Sequence, residues 1–200
     1  MLSLKNKFLF IHAPKTAGNS IQNILRKYSE DTVVIKHKSP DKTYLDRFEV
    51  KSNFLSTKKH STINEYYRNW NPQLGRFEDF FKFSVVRNPW ERAISYYFWK
   101  GFRDYDKKLF IKTRLKKPCM HYLRLNEDMY PHVDFIIRFE KLQKDFNRVC
   151  KLINLEKENL PFANQSKHLP YMEYYDDETK EIIQNDHAED IKAFGYSFEK

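Results

Sequence analysis

Three short apolar runs set the terms for this chain: FLFI at 8–11, FSVV at 83–86 and FII at 135–137, inside predicted strands 7–12, 81–86 and 133–137. Each is apolar at consecutive positions rather than at every second one, so each strand needs cover on both faces. Each leads into a polar turn and then into apolar residues at helical spacing, as in Ile21, Ile24, Leu25 and Tyr28 after the first. Strand, turn and helix repeated in this way predict an α/β fold with a parallel sheet. Ligands of such sheets bind at the carboxyl ends of the strands. The turns at those ends are 12–18, 87–89 and 138–140.

Capping chemistry marks the helices. The first is predicted over 18–28. Asn88 followed by Pro89 supplies a cap and a first-turn proline for a helix through Ile94, Tyr97 and Phe98. A helix over 139–153 puts Leu142, Phe146, Val149, Cys150 and Ile153 on one face. Ser61 and Asn64 compete as caps for a short helix ahead of the second main strand. Asp176 is predicted to cap one last helix reaching Phe194, with Gly195 ending it. A further short strand is predicted over 32–35, whereas 36–60 is polar and basic with weak periodicity. The 200 residues suit a single domain over 1–200.

Charge narrows the partner. With 36 basic and 27 acidic residues the chain carries +9, which favours an anionic ligand: a nucleotide, a nucleic acid, an acidic glycan or a membrane surface. Cys119 and Cys150 have no partner motif, so a reducing compartment fits better than a disulfide framework. The opening MLSLKNKFLFIH lacks the apolar core and cleavage site of a signal peptide, and no run is long enough to span a membrane. The expectation is a cytoplasmic protein.

The turn HAPKTAGNS is built for an anion. A tight loop between a strand and a helix N-terminus presents backbone N–H groups and the positive end of the helix dipole. Gly18 is expected to permit the turn, Lys15 adds a charge, and Thr16, Asn19 and Ser20 add short polar groups. The reading is a phosphate cradle over 13–20; the plainer alternative is a strand–helix turn with a capping Ser or Asn. The nucleoside-triphosphate loop G-x-x-x-x-G-K-[ST] is a different object, because here the lysine precedes the glycine. The later strands run into Arg87 and Arg138 rather than an Asp that would bind magnesium, so the phosphates are expected to be held without a metal.

In FSVVRNPWERAISYYF, Arg87 follows a strand and Ser95 lies eight residues on. An arginine fork there grips a phosphate bidentately. The alternative is a structural arginine paired with Glu91. Taken with the first loop, the pair points to a ligand with two separate phosphates.

HAPKTAGNS followed by FKFSVVRNPWERAISYYF resembles the two phosphate-binding signatures of sulfotransferases that use 3′-phosphoadenosine 5′-phosphosulfate (PAPS). It is most similar to the carbohydrate branch, sulfotransferase family 2, with the heparan sulfate 2-O-sulfotransferases and their bacterial relatives. VDFIIRFEKLQKDF and YYDDETKEIIQNDHAEDIKAFGYSF resemble later blocks of that branch. The resemblance implies a three-layer fold like that of P-loop NTPases and a transfer that needs no metal. It implies that Lys15 steadies the leaving phosphate, that the backbone of Thr16, Ala17, Gly18, Asn19 and Ser20 cradles the 5′-phosphate, and that Pro14 and Lys15 also contact the cofactor. By the same resemblance Arg87 and Ser95 hold the 3′-phosphate, and Ser166, in the loop 162–170, is a further contact. Asn19 departs from the threonine usual there, and since Asn also donates and accepts the expected cost is modest.

Sulfuryl transfer to a hydroxyl needs a general base, and histidine suits neutral pH. His60 matches a histidine that serves this role in the 2-O-sulfotransferases and is the first choice among seven; Glu65 and Glu140 are the fallbacks, and His12 is expected to orient the loop. The segment 100–117 holds eight basic residues against two acidic ones. It reads first as a solvated, charge-rich face and second as an acceptor surface whose Phe102, Tyr105 and Phe110 stack on sugar rings. The acceptor is expected to be a carbohydrate or glycolipid hydroxyl, with 36–60 and 100–132 as its variable contacts. A nucleotide kinase-like phosphotransferase and a non-catalytic module binding polyanions are the competing classes. The chain lacks the spaced aromatic motif of an RNA-binding surface, so nucleic acid is not the expected partner.

Overall fold

A computed structural model of the chain describes residues 1–38, 45–161 and 168–199. Its main sheet has the order β1 (Leu2–Ser3), β2 (Phe8–Ile11), β5 (Phe81–Val86), β6 (Phe135–Arg138). β2, β5 and β6 run parallel, and the two-residue β1 is an antiparallel edge. The register is pinned by aromatics. Phe8 pairs with Phe81 and Phe10 with Phe83, and the Phe10 and Phe83 rings lie 5.2 Å apart. Ser84 Oγ donates to Ile11 O at 2.7 Å, so this buried hydroxyl of β5 is satisfied inside the sheet.

The consecutive apolar residues divide between two faces. Phe8, Phe10, Phe83, Val85 and Ile137 meet α1 (Gly18–Leu25) and α6 (Leu142–Leu152). Leu9, Ile11 and Val86 meet α2 (Ile63–Arg68), α5 (Met120–Leu123) and the end of α8 (Ala188–Phe194). The result is helix, sheet and helix in three layers, as the run pattern predicts. A third cluster joins α3 (Pro89–Trp99), α4 (Lys107–Thr113) and α7 (Asp177–Asp186). No helix among the described residues is long and apolar enough to cross a membrane.

Several expectations are corrected. The strand expected over 32–35 extends to β3 (Thr32–Lys38) and pairs antiparallel with β4 (Leu45–Lys51) in a separate two-stranded sheet. Register shifts at Ile35, His37 and Lys38 spoil the period-two pattern that would have revealed it. Thr62, not Ser61 or Asn64, caps α2, in a capping box with Glu65. The single helix expected over 176–194 breaks at buried His187, whose φ of −122° leaves helical geometry and whose Nε2 bonds Leu115 O at 2.8 Å. Asn88 and Asp176 cap α3 and α7 as read, and Gly195 ends α8 in the left-handed conformation.

Candidate active site

The loop between β2 and α1 is shaped by two left-handed residues, Lys15 (φ 66°) and Ala17 (φ 64°). Gly18 permits the turn as expected, without a positive φ of its own. Its role is room: a Cβ there would lie 2.1 Å from His12 Cδ2 and 2.2 Å from its Nε2. Buried Thr16 closes the turn by donating Oγ1 to Ala13 O at 2.8 Å. Ala17 stands at the N-cap of α1 with no side-chain cap bond, and the first turn holds no acidic residue. A helix end built this way favours an anion.

Two residues distant in sequence bond the backbone of this loop. Arg87, 8 % exposed, donates Nη1 to Lys15 O at 3.3 Å and Nη2 to Glu91 Oε1 at 2.9 Å. Its guanidinium lies 3.9 Å from the centroid of the Phe139 ring, and its Nε is buried with no partner among the described residues. The pairing with Glu91, given as the plainer alternative to a phosphate grip, is present, and the same guanidinium also reaches the loop. Ser95 is buried on α3, one turn beyond Glu91 on the same face. Lys15 Nζ sits 5.5 Å from the Trp99 ring centroid. Burial, with the charge of Arg87 added, lowers the Lys15 pKa to about 8.

His60 bonds the other end of the loop. Its Nδ1 donates to His12 O at 2.9 Å, and its ring packs on the His12 ring with centroids 4.5 Å apart. A carbonyl only accepts, so Nδ1 holds the proton and neutral His60 keeps its lone pair on Nε2, the tautomer a base requires. Loss of water around the ring lowers its pKa below the ordinary 6.5; Lys59 adds to this, while the bond to His12 opposes it.

Both fallback bases are engaged in structure. Glu65 closes the capping box of α2, and Glu140 accepts from Asn88 N at 3.2 Å and from the Tyr196 hydroxyl at 3.3 Å. Arg138 turns away to the end of α8, donating Nη2 to Phe194 O at 2.6 Å. Ser166 lies outside the described residues. Of the aromatics of 100–117, Phe110 is buried and Phe102 and Tyr105 are half-buried, all three packing around Tyr97 in the third cluster. Of its cations, Lys107 pairs with Asp176 and Glu178, and Arg114 with Asp186.

Sequence reading missed Arg92. It is fully buried and donates Nε to Pro14 O at 2.8 Å and Nη1 to Lys117 O at 3.0 Å, with Asp190 Oδ2 3.8 Å away. It thus fixes the front of the loop from α3. Nothing local signals this, because its carboxylate partner lies in α8 and a charged helix residue reads as solvated.

A family model described as the sulfotransferase family matches residues 1–129, which takes in the loop, His60, Arg87 and Ser95. The chain belongs to the sulfotransferase family. No curated protein and no solved structure matches it. As a sulfotransferase it moves a sulfuryl group to an acceptor, and the three-layer fold agrees with that membership. The match ends before β6, which pairs with β5 from Phe83 to Val86 and completes the same sheet.

Proposed function

We propose that this sulfotransferase takes its sulfuryl group from PAPS and delivers it in line to a hydroxyl of a carbohydrate-type acceptor. The observation that carries the reading is the convergence on one loop: His60 bonds the carbonyl of His12 and Arg87 that of Lys15, which gathers a base and two cations around a helix N-terminus. The residues fit a doubly phosphorylated ligand. Arg87 retains a buried, unpartnered Nε, and Lys15, pushed toward neutrality by burial and a neighbouring cation, gains from an anion.

PAPS, when bound, supplies the sulfuryl group and a phosphate leaving group. The backbone and side chains of Pro14 to Ser20 hold the 5′-phosphate. Arg87 and Ser95 hold the 3′-phosphate. Lys15 donates a charge-assisted hydrogen bond to the oxygen on which negative charge grows. His60 Nε2 takes the acceptor's proton. None of these roles calls for a metal.

The test is calorimetric titration with the desulfated product PAP, and with ATP as control, in the presence of EDTA. The expected result is tight binding of PAP and weak binding of ATP. Absence of PAP binding overturns the assignment of the donor.

A further inference from the structure

We propose that the His12 imidazole is a positioning residue that couples the donor loop to the base, a single ring packed on Gly18 and on His60 at once. This rests on the reading of His60 as the base. The ring occupies the space a side chain at 18 would need, 2.1 Å from that Cβ position, and lies 4.5 Å from the His60 ring centroid. Its Nδ1 donates to Gln22 Oε1 at 3.0 Å, so α1 holds the ring from its other edge. Helix, loop and base therefore meet on one side chain, which is 4 % exposed.

The arrangement explains why the loop needs a glycine where its φ does not. Gly18 is the only residue type that lets the ring lie flat on the loop, and the ring in turn backs His60. Neutrality of His12 suits the task. Burial keeps its pKa well below 6.5, with His60 and Lys59 pushing the same way, so no charge stands behind the base as it takes up a proton. A substitution at 12 leaves the carbonyl that anchors His60 in place, and what it removes is the support of the ring.

Two readouts test this without any donor. Gly18→Ala should lower Tm by ~5 °C or more, and adding His12→Ala should restore at least half of that loss, because the smaller side chain vacates the space. In His12→Ala alone, NMR titration should show the His60 pKa rising toward the ordinary ~6.5 as water reaches its ring. In turnover, His12→Ala should cost ~10-fold in kcat with little change in PAP affinity, and nothing further once His60→Ala is present. Additive Tm losses, or a His60 titration unmoved by His12→Ala, overturn the proposal. Coupling in both readouts from a protein that binds no PAP would overturn the donor assignment and leave the positioning role standing.

Discussion

The loop at 12–20 and the hairpin of β3 and β4 are close in sequence and opposite in construction. The loop is held by α3 through Arg92, by Arg87 at the end of β5, by His60 ahead of α2 and by its own Thr16. The hairpin touches the core through Leu45, Phe48 and Val50 of β4, with Val33 of β3 packed beside them, while Lys36, His37 and Lys38 are exposed. Its polar ties are local: Asn23 clasps Leu45 through both backbone groups at 2.7 and 2.8 Å, and Lys59 Nζ donates to Phe48 O at 2.7 Å. A loop fixed from four directions is built for one geometry, as charge stabilisation in a transition state demands. A strand pair with an exposed, basic end tolerates changes of surface charge, which suits the acceptor contact we propose for it.

That division can be broken by experiment. His60→Ala should reduce kcat by up to ~10⁴ with PAP affinity intact; a small loss would move the base elsewhere. In the wild type, kcat/KM should rise through a pKa below 6.5 as His60 becomes neutral, and fall around 8 as free Lys15 loses its proton. The alkaline limb of kcat should lie higher, because the bound anion holds the Lys15 proton. An acid limb that survives His60→Ala would sever it from His60. Lys15→Ala should cost ~10³ in kcat and less than ~10-fold in PAP affinity, and unchanged turnover would remove Lys15 from the chemistry.

Arg87→Ala should weaken PAP by ~10–100-fold while sparing adenosine 5′-phosphosulfate, which lacks the 3′-phosphate. Equal losses for both ligands would make Arg87 a structural brace of the loop. The smallest effect belongs to the hairpin. Lys36→Ala with Arg47→Ala should leave PAP affinity within ~2-fold, the usual scale for exposed charges, and alter the acceptor KM. A hairpin variant that weakens PAP would dissolve the contrast.

The loop after β2 was the more legible in the sequence because its construction is local. A strand, a polar turn and a helix start are contiguous, and Lys15, Arg87 and Ser95 can be placed from their neighbours alone. What escaped depends on contacts across the chain. Gly18 was legible as a position where a side chain would block the turn, but the blocking group, the His12 ring at the preceding strand end, was not. Ala17, unremarkable as a letter, adopts the left-handed conformation that glycine would have advertised. Arg92 went unread because Pro14, Lys117 and Asp190 surround it only after folding. The hairpin was obscured by irregular register, and the break at His187 by an acceptor carbonyl at Leu115.

The Arg92–Asp190 pair has a consequence for where this molecule can be cut. Both residues are fully buried, and Asp190 also accepts from the backbone N–H groups of Cys119 and Met120 at 2.6 and 2.8 Å. A fragment ending at residue 129 would keep every signature residue of the family match and lose this carboxylate. Stranding one member of a buried ion pair costs about 3–5 kcal/mol, a large part of the 5–15 kcal/mol that typically holds a domain folded. Expression of that fragment should therefore yield a chain that bears the motif and holds the loop poorly, because Arg92, which braces the front of the loop from α3, is left without its carboxylate.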